Sequence, residues 1–357
     1  MGLEDLKTNL ELWNTLDFRD DFVWGILYGE ESKIKDENDN TFLLESSHDS
    51  TTNDASFFEN ELKKYKQEID LLKGSRILYF KFSLSWSRII PDGIGIMNSK
   101  AIAFYHQVLD LCKENGVEPF VTLYDSCLPN ALRDKGGWSN RESLNWFENY
   151  VTLCAYVFKE KVTYWIIFNE PSVFIGASNF FEVYPSGKNK INLFLSALHH
   201  SLLGQSIGFN KIKEIIPNSQ LGTFLSCKYC IALTHSEKDI QATERMDAFL
   251  NRIFIEPALG MGYPTKSLPF LKRISKYSLA GDDDLLAVNF DFIGLQNCGS
   301  EIVSYDQFLP YLNAKIIDYN QLRVKKKYLN LENYNELMYH VIKKYSAYAD
   351  IKKILIS

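Results

Sequence analysis

No apolar run in this 357-residue chain approaches the roughly 18–20 residues that a membrane-spanning helix needs. The opening stretch, MGLEDLKTNL, has neither a basic segment nor an apolar core, so no secretory signal is expected. Basic residues are in deficit: 39 Lys and Arg against 45 Asp and Glu leave a net charge of -6, which disfavours a nucleic-acid partner. Six cysteines are too few for a disulfide scaffold of this length. No Gly-rich loop stands between a strand and a helix to cradle a phosphate, because Gly93 and Gly95 belong to a Pro-Asp-Gly turn. Internal repeats and Pro/Gly-rich linkers are absent too. These gaps leave one expected domain over residues 1–357, mildly acidic and cytoplasmic, with neither nucleic acid nor membrane as partner.

Aromatic residues, by contrast, are plentiful at 14%, enough to fill a large core or to line a sugar site. Short apolar runs alternate with longer helical patterns, the signature of α/β architecture. The expected strands are Phe22–Leu27, Arg76–Phe82, Val117–Tyr124, Val162–Asn169, Leu221–Ser226, Phe290–Gln296 and Lys353–Ile356. Most are nearly continuous in apolar residues, as parallel strands covered on both faces are. Between the first two, Phe58, Leu62, Tyr65, Ile69 and Leu72 make one helical stripe and leave Glu61, Lys64 and Lys66 to water. Further helices are expected over Ser99–Lys113, Arg141–Phe158, Asn192–Ile215, Asp239–Phe254 and Asn333–Tyr345. Residues 30–54 and 303–329 read as irregular loops, the second ending in the basic run Arg323–Lys327.

Polar residues decide between a barrel and a doubly wound sheet. Asp125, Glu170, Ser226 and Gln296 each stand at or just beyond the C-terminal end of an expected strand, where barrel active sites are built. The expected fold is therefore a (β/α)8 TIM barrel lacking or truncating its last β/α unit. Tyr164-Trp-Ile-Ile-Phe-Asn169-Glu170-Pro171 is the most informative segment. A buried strand delivers Asn169 and Glu170 to its mouth and Pro171 stops it, which places a partly desolvated carboxyl where a general acid is useful.

The motifs FVWG at 22–25, FSLSWSRIIPDG at 82–93, ENGVEPFVTLY at 114–124, LPNALRDKGGWSNRES at 128–143, YWIIFNEPSVF at 164–174, ATERMDAFLNRIFIEP at 242–257 and DFIGL at 291–295 occur in order. In these the chain resembles glycoside hydrolase family 1, the β-glucosidase family. The resemblance implies a retaining β-glycosidase without a cofactor, acting on a β-glycoside or other carbohydrate. It implies Glu170 as the catalytic acid/base and Asn169 as a donor to the sugar 2-hydroxyl. Asp125, Trp86 and Gln296 are further candidates for contact with substrate, Trp86 as an aromatic wall.

Departures from the family pattern cluster around one device. The nucleophile of the family follows its seventh strand; Lys353–Ser357 looks like that strand and no second carboxylate can be assigned as nucleophile. Lys81 stands where the family has Arg, and a lysine cannot reproduce a guanidinium fork. Gln296-Asn297-Cys298 replaces Asn-Tyr-Tyr, and Asp125-Ser126-Cys127 replaces a His-Trp-Asp triplet. Ser32 lies near the position of a glycone-holding Gln. Two readings follow: a β-glucosidase-like hydrolase of impaired activity, and an inactive pseudoglycosidase that binds carbohydrate or protein. Asp125 and Glu170, on adjacent strands, could alternatively form an acid/base pair acting through water. An incompletely closed barrel is expected to favour homo-oligomers through its open edge.

Two other signals point to packing. Cys227-Lys-Tyr-Cys230 has the spacing of a metal or redox site but no second pair, so no metal is expected. His199-His200 has no carboxylate at helical spacing and reads as a packed or capping pair.

Overall fold

A computed structural model describes residues 24–28, 55–75, 77–177, 188–317 and 334–357. In chain order the principal elements are β1 (Trp24–Leu27), α1 (Ala55–Leu71), β2 (Ile77–Ser83), α2 (Ser99–Glu114), β3 (Glu118–Tyr124), α3 (Ser143–Phe158), β4 (Tyr164–Asn169), α4 (Lys188–Ile215) and β5 (Gln220–Ala232). There follow α5 (Glu237–Asp247), β6 (Phe292–Tyr305), β7 (Ala314–Ile316), α6 (Tyr334–Tyr345) and β8 (Ile354–Ile356). Each expected strand has its counterpart among them. The loop expected over 30–54 lies outside the described residues, as does Ser32.

Strands β1 to β6 pair in sequence order, all parallel, and β8 adds to the first half of β6, again in parallel. The sheet is curled, which two rings demonstrate. β3 and β6 lie three strands apart, roughly 14 Å in a flat sheet, yet the rings of Phe120 and Phe292 are 5.6 Å apart. Phe120, Ile166, Phe224 and Phe292 fill the interior, with Tyr79 of β2 and Leu355 of β8 packed against the same cluster. Glycine makes this possible at two points. A Cβ on Gly222 would sit 2.3 Å from the Phe292 ring, and one on Gly294 would sit 2.4 Å from the Phe224 ring. The architecture is thus a (β/α) barrel of seven parallel strands, with β1 and β8 unpaired on their outer sides among the described residues. A doubly wound sheet is excluded.

The helices form the outer layer for local reasons. The Asn98 side chain accepts from the backbone N–H groups of Lys100 and Ala101 and starts α2, and Gly116, at φ 67°, follows its end. Ser236 opens α5 by accepting from Asp239 N–H. α1 buries Tyr65 and Ile69, and the turn after it buries Leu72, as expected, but Glu61 is also buried, its carboxylate taking a 2.7 Å hydrogen bond from Lys64 one turn on. Its stripe is wider than the apolar letters suggest, because Lys64 neutralises the carboxylate at the margin. No described helix is long and apolar enough to cross a membrane.

The region expected to be irregular from 303 onward is partly ordered. β6 continues to Tyr305, and β7 folds back on it antiparallel, pairing Val303 with Ile316 and Tyr305 with Ala314. Burial of Ile302, Val303 and Ala314 favours strand there over loop. Residues 318–329, including Arg323–Lys327, lie outside the described residues. His199 and His200 are packed, as expected, and His199 has a distant partner as well. It is fully buried and meets a carboxylate from far along the chain: its Nε2 lies 3.1 Å from Asp282 Oδ2 and its Nδ1 3.0 Å from the Tyr263 hydroxyl. Arg141 clamps the same carboxylate with hydrogen bonds of 2.9 and 2.6 Å, tying the start of α3 to α4 and to the loop before β6.

Candidate active site

β2 to β4 at their C-terminal ends, and β5 and β6 midway along their length, converge on one buried polar network. Lys81 projects from β2 inside the run Phe80-Lys81-Phe82, and only 7% of it is exposed. Its Nζ donates 2.8 Å to Asn169 Oδ1 on β4 and 2.9 Å to Gln296 Oε1 on β6. The Phe224 ring of β5 lies beneath it, with the centroid 3.8 Å from Nζ. β2 and β6 stand four strands apart along the sheet, so only the closed curvature brings this lysine and this glutamine together.

Two amides carry the network outward, and the chemistry of lysine fixes their orientation. An ammonium can only donate, so Oδ1 of Asn169 and Oε1 of Gln296 must face Lys81. Their NH2 groups therefore point away, toward carboxylates. Asn169 Nδ2 donates 3.0 Å to Asp125 Oδ1, and Gln296 Nε2 donates 2.6 Å to Glu170 Oε2. Ser83 Oγ supports the other Asp125 oxygen at 3.2 Å, and the Ser226 hydroxyl donates to Glu170 Oε1. A cation at the centre thus links two carboxylates through two amides.

Backbone geometry aims Glu170. It has φ 49°, a left-handed conformation that costs a residue with a side chain about 1–2 kcal/mol. Two backbone bonds hold it there. Glu170 N–H donates 2.8 Å to Phe224 O, and Val173 N–H donates 2.8 Å to Glu170 O. Register in the ladder shifts between Ile166 and Asn169, so the pleat is broken just before the strand delivers its polar end.

Burial sets the electrostatics. It pulls the Lys81 ammonium down to about 8, against the opposing pull of the Asp125 and Glu170 carboxylates. Burial likewise raises Asp125, offset in part by the Asn169 hydrogen bond and the Lys81 charge.

Four of the five expected site residues, Glu170, Asn169, Asp125 and Gln296, meet in this network. Trp86 does not. It is 1% exposed, stacks on Tyr150 with centroids 4.7 Å apart, and donates 3.1 Å from Nε1 to Gly93 O. It is a core residue rather than an aromatic wall, because the short helical turn Trp86–Ile89 directs it against α3. Ser226, already marked by its place on an expected strand, and Lys81, noted as a departure from the family pattern, join the network, and Ser83 belongs to it without having been singled out. A lysine flanked by phenylalanines in a buried strand is the signal that makes Lys81 a site residue in its own right.

The sequence profile of glycosyl hydrolase family 1 matches residues 17–348. Beta-glucosidase A of Thermotoga maritima is 29% identical over 282 residues, which are 79% of this chain and 62% of that protein. Beta-glucosidase A of Acetivibrio thermocellus is 31% identical over 68% of this chain and 55% of its own length. The 6-phospho-beta-glucosidase GmuD of Bacillus subtilis is 30% identical over 74% and 56% respectively. The chain thus spans less than two thirds of these relatives. Among solved structures, a family 1 β-glucosidase from Thermotoga maritima superimposes with a TM-score of 0.79 at 25% identity, covering 95% of this chain and 78% of that one. A Thermotoga maritima family 1 glycoside hydrolase in complex with a cyclophellitol analogue gives a TM-score of 0.73 at 27% identity, over 84% and 66%.

Proposed function

Because the chain belongs to glycosyl hydrolase family 1, we propose that its barrel mouth binds β-glycosides, with Glu170 placed to protonate the glycosidic oxygen and with turnover severely impaired. The observation that carries this reading is the pattern of hydrogen bonds at Glu170. Oε2 faces an amide NH2, which can only donate, so that oxygen is committed as an acceptor. Oε1 faces the Ser226 hydroxyl, which can reverse and accept. A proton carried by Glu170 therefore belongs on Oε1, and a glycosidic oxygen that displaced Ser226 would receive it from there.

Proton donation is half of retaining hydrolysis. The second carboxylate must attack the anomeric carbon from a position about 5–5.5 Å from the first. Among the described residues, Asp125 is the other carboxylate of the network, and its oxygens are engaged by Ser83 and Asn169. Beyond that pair the network holds no described carboxylate to form the glycosyl-enzyme bond, which favours binding of carbohydrate as the property this mouth retains. A second reading gives Asp125 the role of a base that activates water opposite Glu170; its burial-raised pKa favours that role.

Hydrolysis of an aryl β-glucoside, measured with titration calorimetry of glucoimidazole, tests both readings. Glucoimidazole is a ligand in a Thermotoga maritima β-glucosidase structure. The expected result is measurable binding with turnover near background. Robust turnover lost in Glu170→Gln and kept in Asp125→Asn overturns the impairment. Turnover lost in both establishes the carboxylate pair, and absence of any binding removes the carbohydrate site.

A further inference from the structure

Two thiols meet directly behind the donors that hold Glu170. Cys227 follows Ser226 on β5, and Cys298 comes two residues after Gln296 on β6. The β5–β6 ladder runs from Ser226 opposite Gln296 to Lys228 opposite Gly299, so one residue of β5 faces two of β6. That bulge sets Cys227 across from Cys298. Both are free thiols: Cys227 sits within the core, its Sγ 3.4 Å from Leu225 O, and Cys298 packs against the same core from its margin. Cys227 is fully buried, whereas Cys298 is partly open to solvent.

Their electrostatics are as unequal as their exposure. The neighbouring Cys227 thiol, together with the charge of Lys228, lowers the Cys298 pKa even though burial opposes it. The neighbouring Cys298 and burial raise Cys227. The remaining thiols for which a shift is resolved move upward: burial pushes Cys112 and Cys230 to about 12 and also raises Cys154. An accessible sulfur of thiolate character beside a buried partner is the arrangement found in peroxide-sensing cysteines. Cross-strand neighbours also lie about 5 Å apart at Cα, inside the range a disulfide spans.

We propose that Cys298 is a hydroperoxide-reactive modification site and that Cys227 resolves its oxidised form into a disulfide across the β5–β6 bulge. The Cys298 thiolate attacks one peroxide oxygen, the O–O bond breaks, and the departing oxygen takes up a proton, leaving a sulfenic acid and water. The Cys227 sulfur then attacks the sulfenic sulfur. Its proton leaves with the hydroxide as a second water, and the S–S bond forms. Two thiols are oxidised and one hydrogen peroxide is reduced. The new bond adjoins Ser226 and Gln296 in the chain, so it fixes the spacing of both donors to Glu170. The chemistry is independent of any glycoside activity.

The experiment is brief exposure of the full chain to hydrogen peroxide at near-equimolar concentration, quenching with N-ethylmaleimide, and peptide mapping by mass spectrometry. A Cys227–Cys298 linked peptide is expected before oxidation of the four other cysteines, and dithiothreitol should reverse it. Cys227→Ser should stop at a sulfenic acid on Cys298 that dimedone traps, and Cys298→Ser should leave Cys227 reduced. Unfolding the wild-type chain in urea controls for variants that fold poorly, since the selectivity should then vanish. Equal oxidation of Cys127, Cys230 and Cys298 in the folded chain overturns the proposal. A sulfenic acid at Cys298 that never becomes a disulfide, an intermolecular disulfide, or selectivity that survives in urea does so too.

Discussion

Replacing Lys81 with methionine tests whether the centre of the barrel mouth is a titrating cation. The side chain is 7% exposed and lies on the Phe224 ring, so methionine keeps the shape and removes the charge. Two effects then oppose each other near neutrality. Loss of the ammonium leaves Asn169 Oδ1 and Gln296 Oε1 without their donor, at about 1–3 kcal/mol for each orphaned group. It also relieves the cost of burying a charge, which the fall from 10.5 to about 8 puts at about 3 kcal/mol. The pH dependence separates the two. Between about pH 8 and 10.5 the unfolded chain holds a proton on Lys81 that the native chain has released, so native stability rises with pH. From about pH 7 to about pH 10 this linkage adds about 2.5 kcal/mol to the wild-type chain and nothing to Lys81→Met. Tyrosines and cysteines that titrate in that range do so in both proteins and cancel in the difference. Urea unfolding followed by tryptophan fluorescence at several pH values reads the gap directly. Lys81→Arg, whose guanidinium stays charged throughout, should run parallel to methionine. A gap that is constant or narrows between neutral and alkaline pH refutes the reasoning.

Gly294→Ala drives a Cβ to within 2.4 Å of the Phe224 ring and should cost about 1–3 kcal/mol, read as a lowered thermal midpoint; an unchanged midpoint would mean the barrel interior has slack. Burial opposes ionisation of Asp282, yet Arg141, the Leu279 N–H and His199 hold its carboxyl down to about 2. The stability it contributes is complete above about pH 4 and fades as pH falls toward 2, so Asp282→Asn should flatten the acid limb of the unfolding curve. Trp86→Phe keeps the stack on Tyr150 and drops the bond to Gly93, which should cost about 1 kcal/mol of stability and leave glucoimidazole affinity unchanged. A tenfold loss of affinity would return Trp86 to the site.

What was legible in the amino-acid order divides along a physical line. Strands such as Val162–Asn169 announce themselves because parallel strands buried on both faces are continuous apolar runs, and a polar pair closed by Pro171 marks the end of one. Trp86 was misread because an aromatic side chain carries the same local signal in a pocket wall and in a core; only the direction of the turn Trp86–Ile89 separates them. His199 and Asp282 are 83 residues apart, and no periodicity along the chain relates them. Lys81 and Gln296 are the sharpest case. Their bond spans 215 residues and four strands, and it exists because the sheet curls. That curl also makes the residue that departs from the family pattern the hub of the network. A guanidinium would offer a planar fork with five donors, whereas the lysine offers a point charge with three. Two of those three, spent on amide oxygens, are what orient Asn169 and Gln296 toward Asp125 and Glu170. The polarity of every hydrogen bond between the two carboxylates thus follows from one donor-only group, and reversing either amide would leave Lys81 facing an NH2.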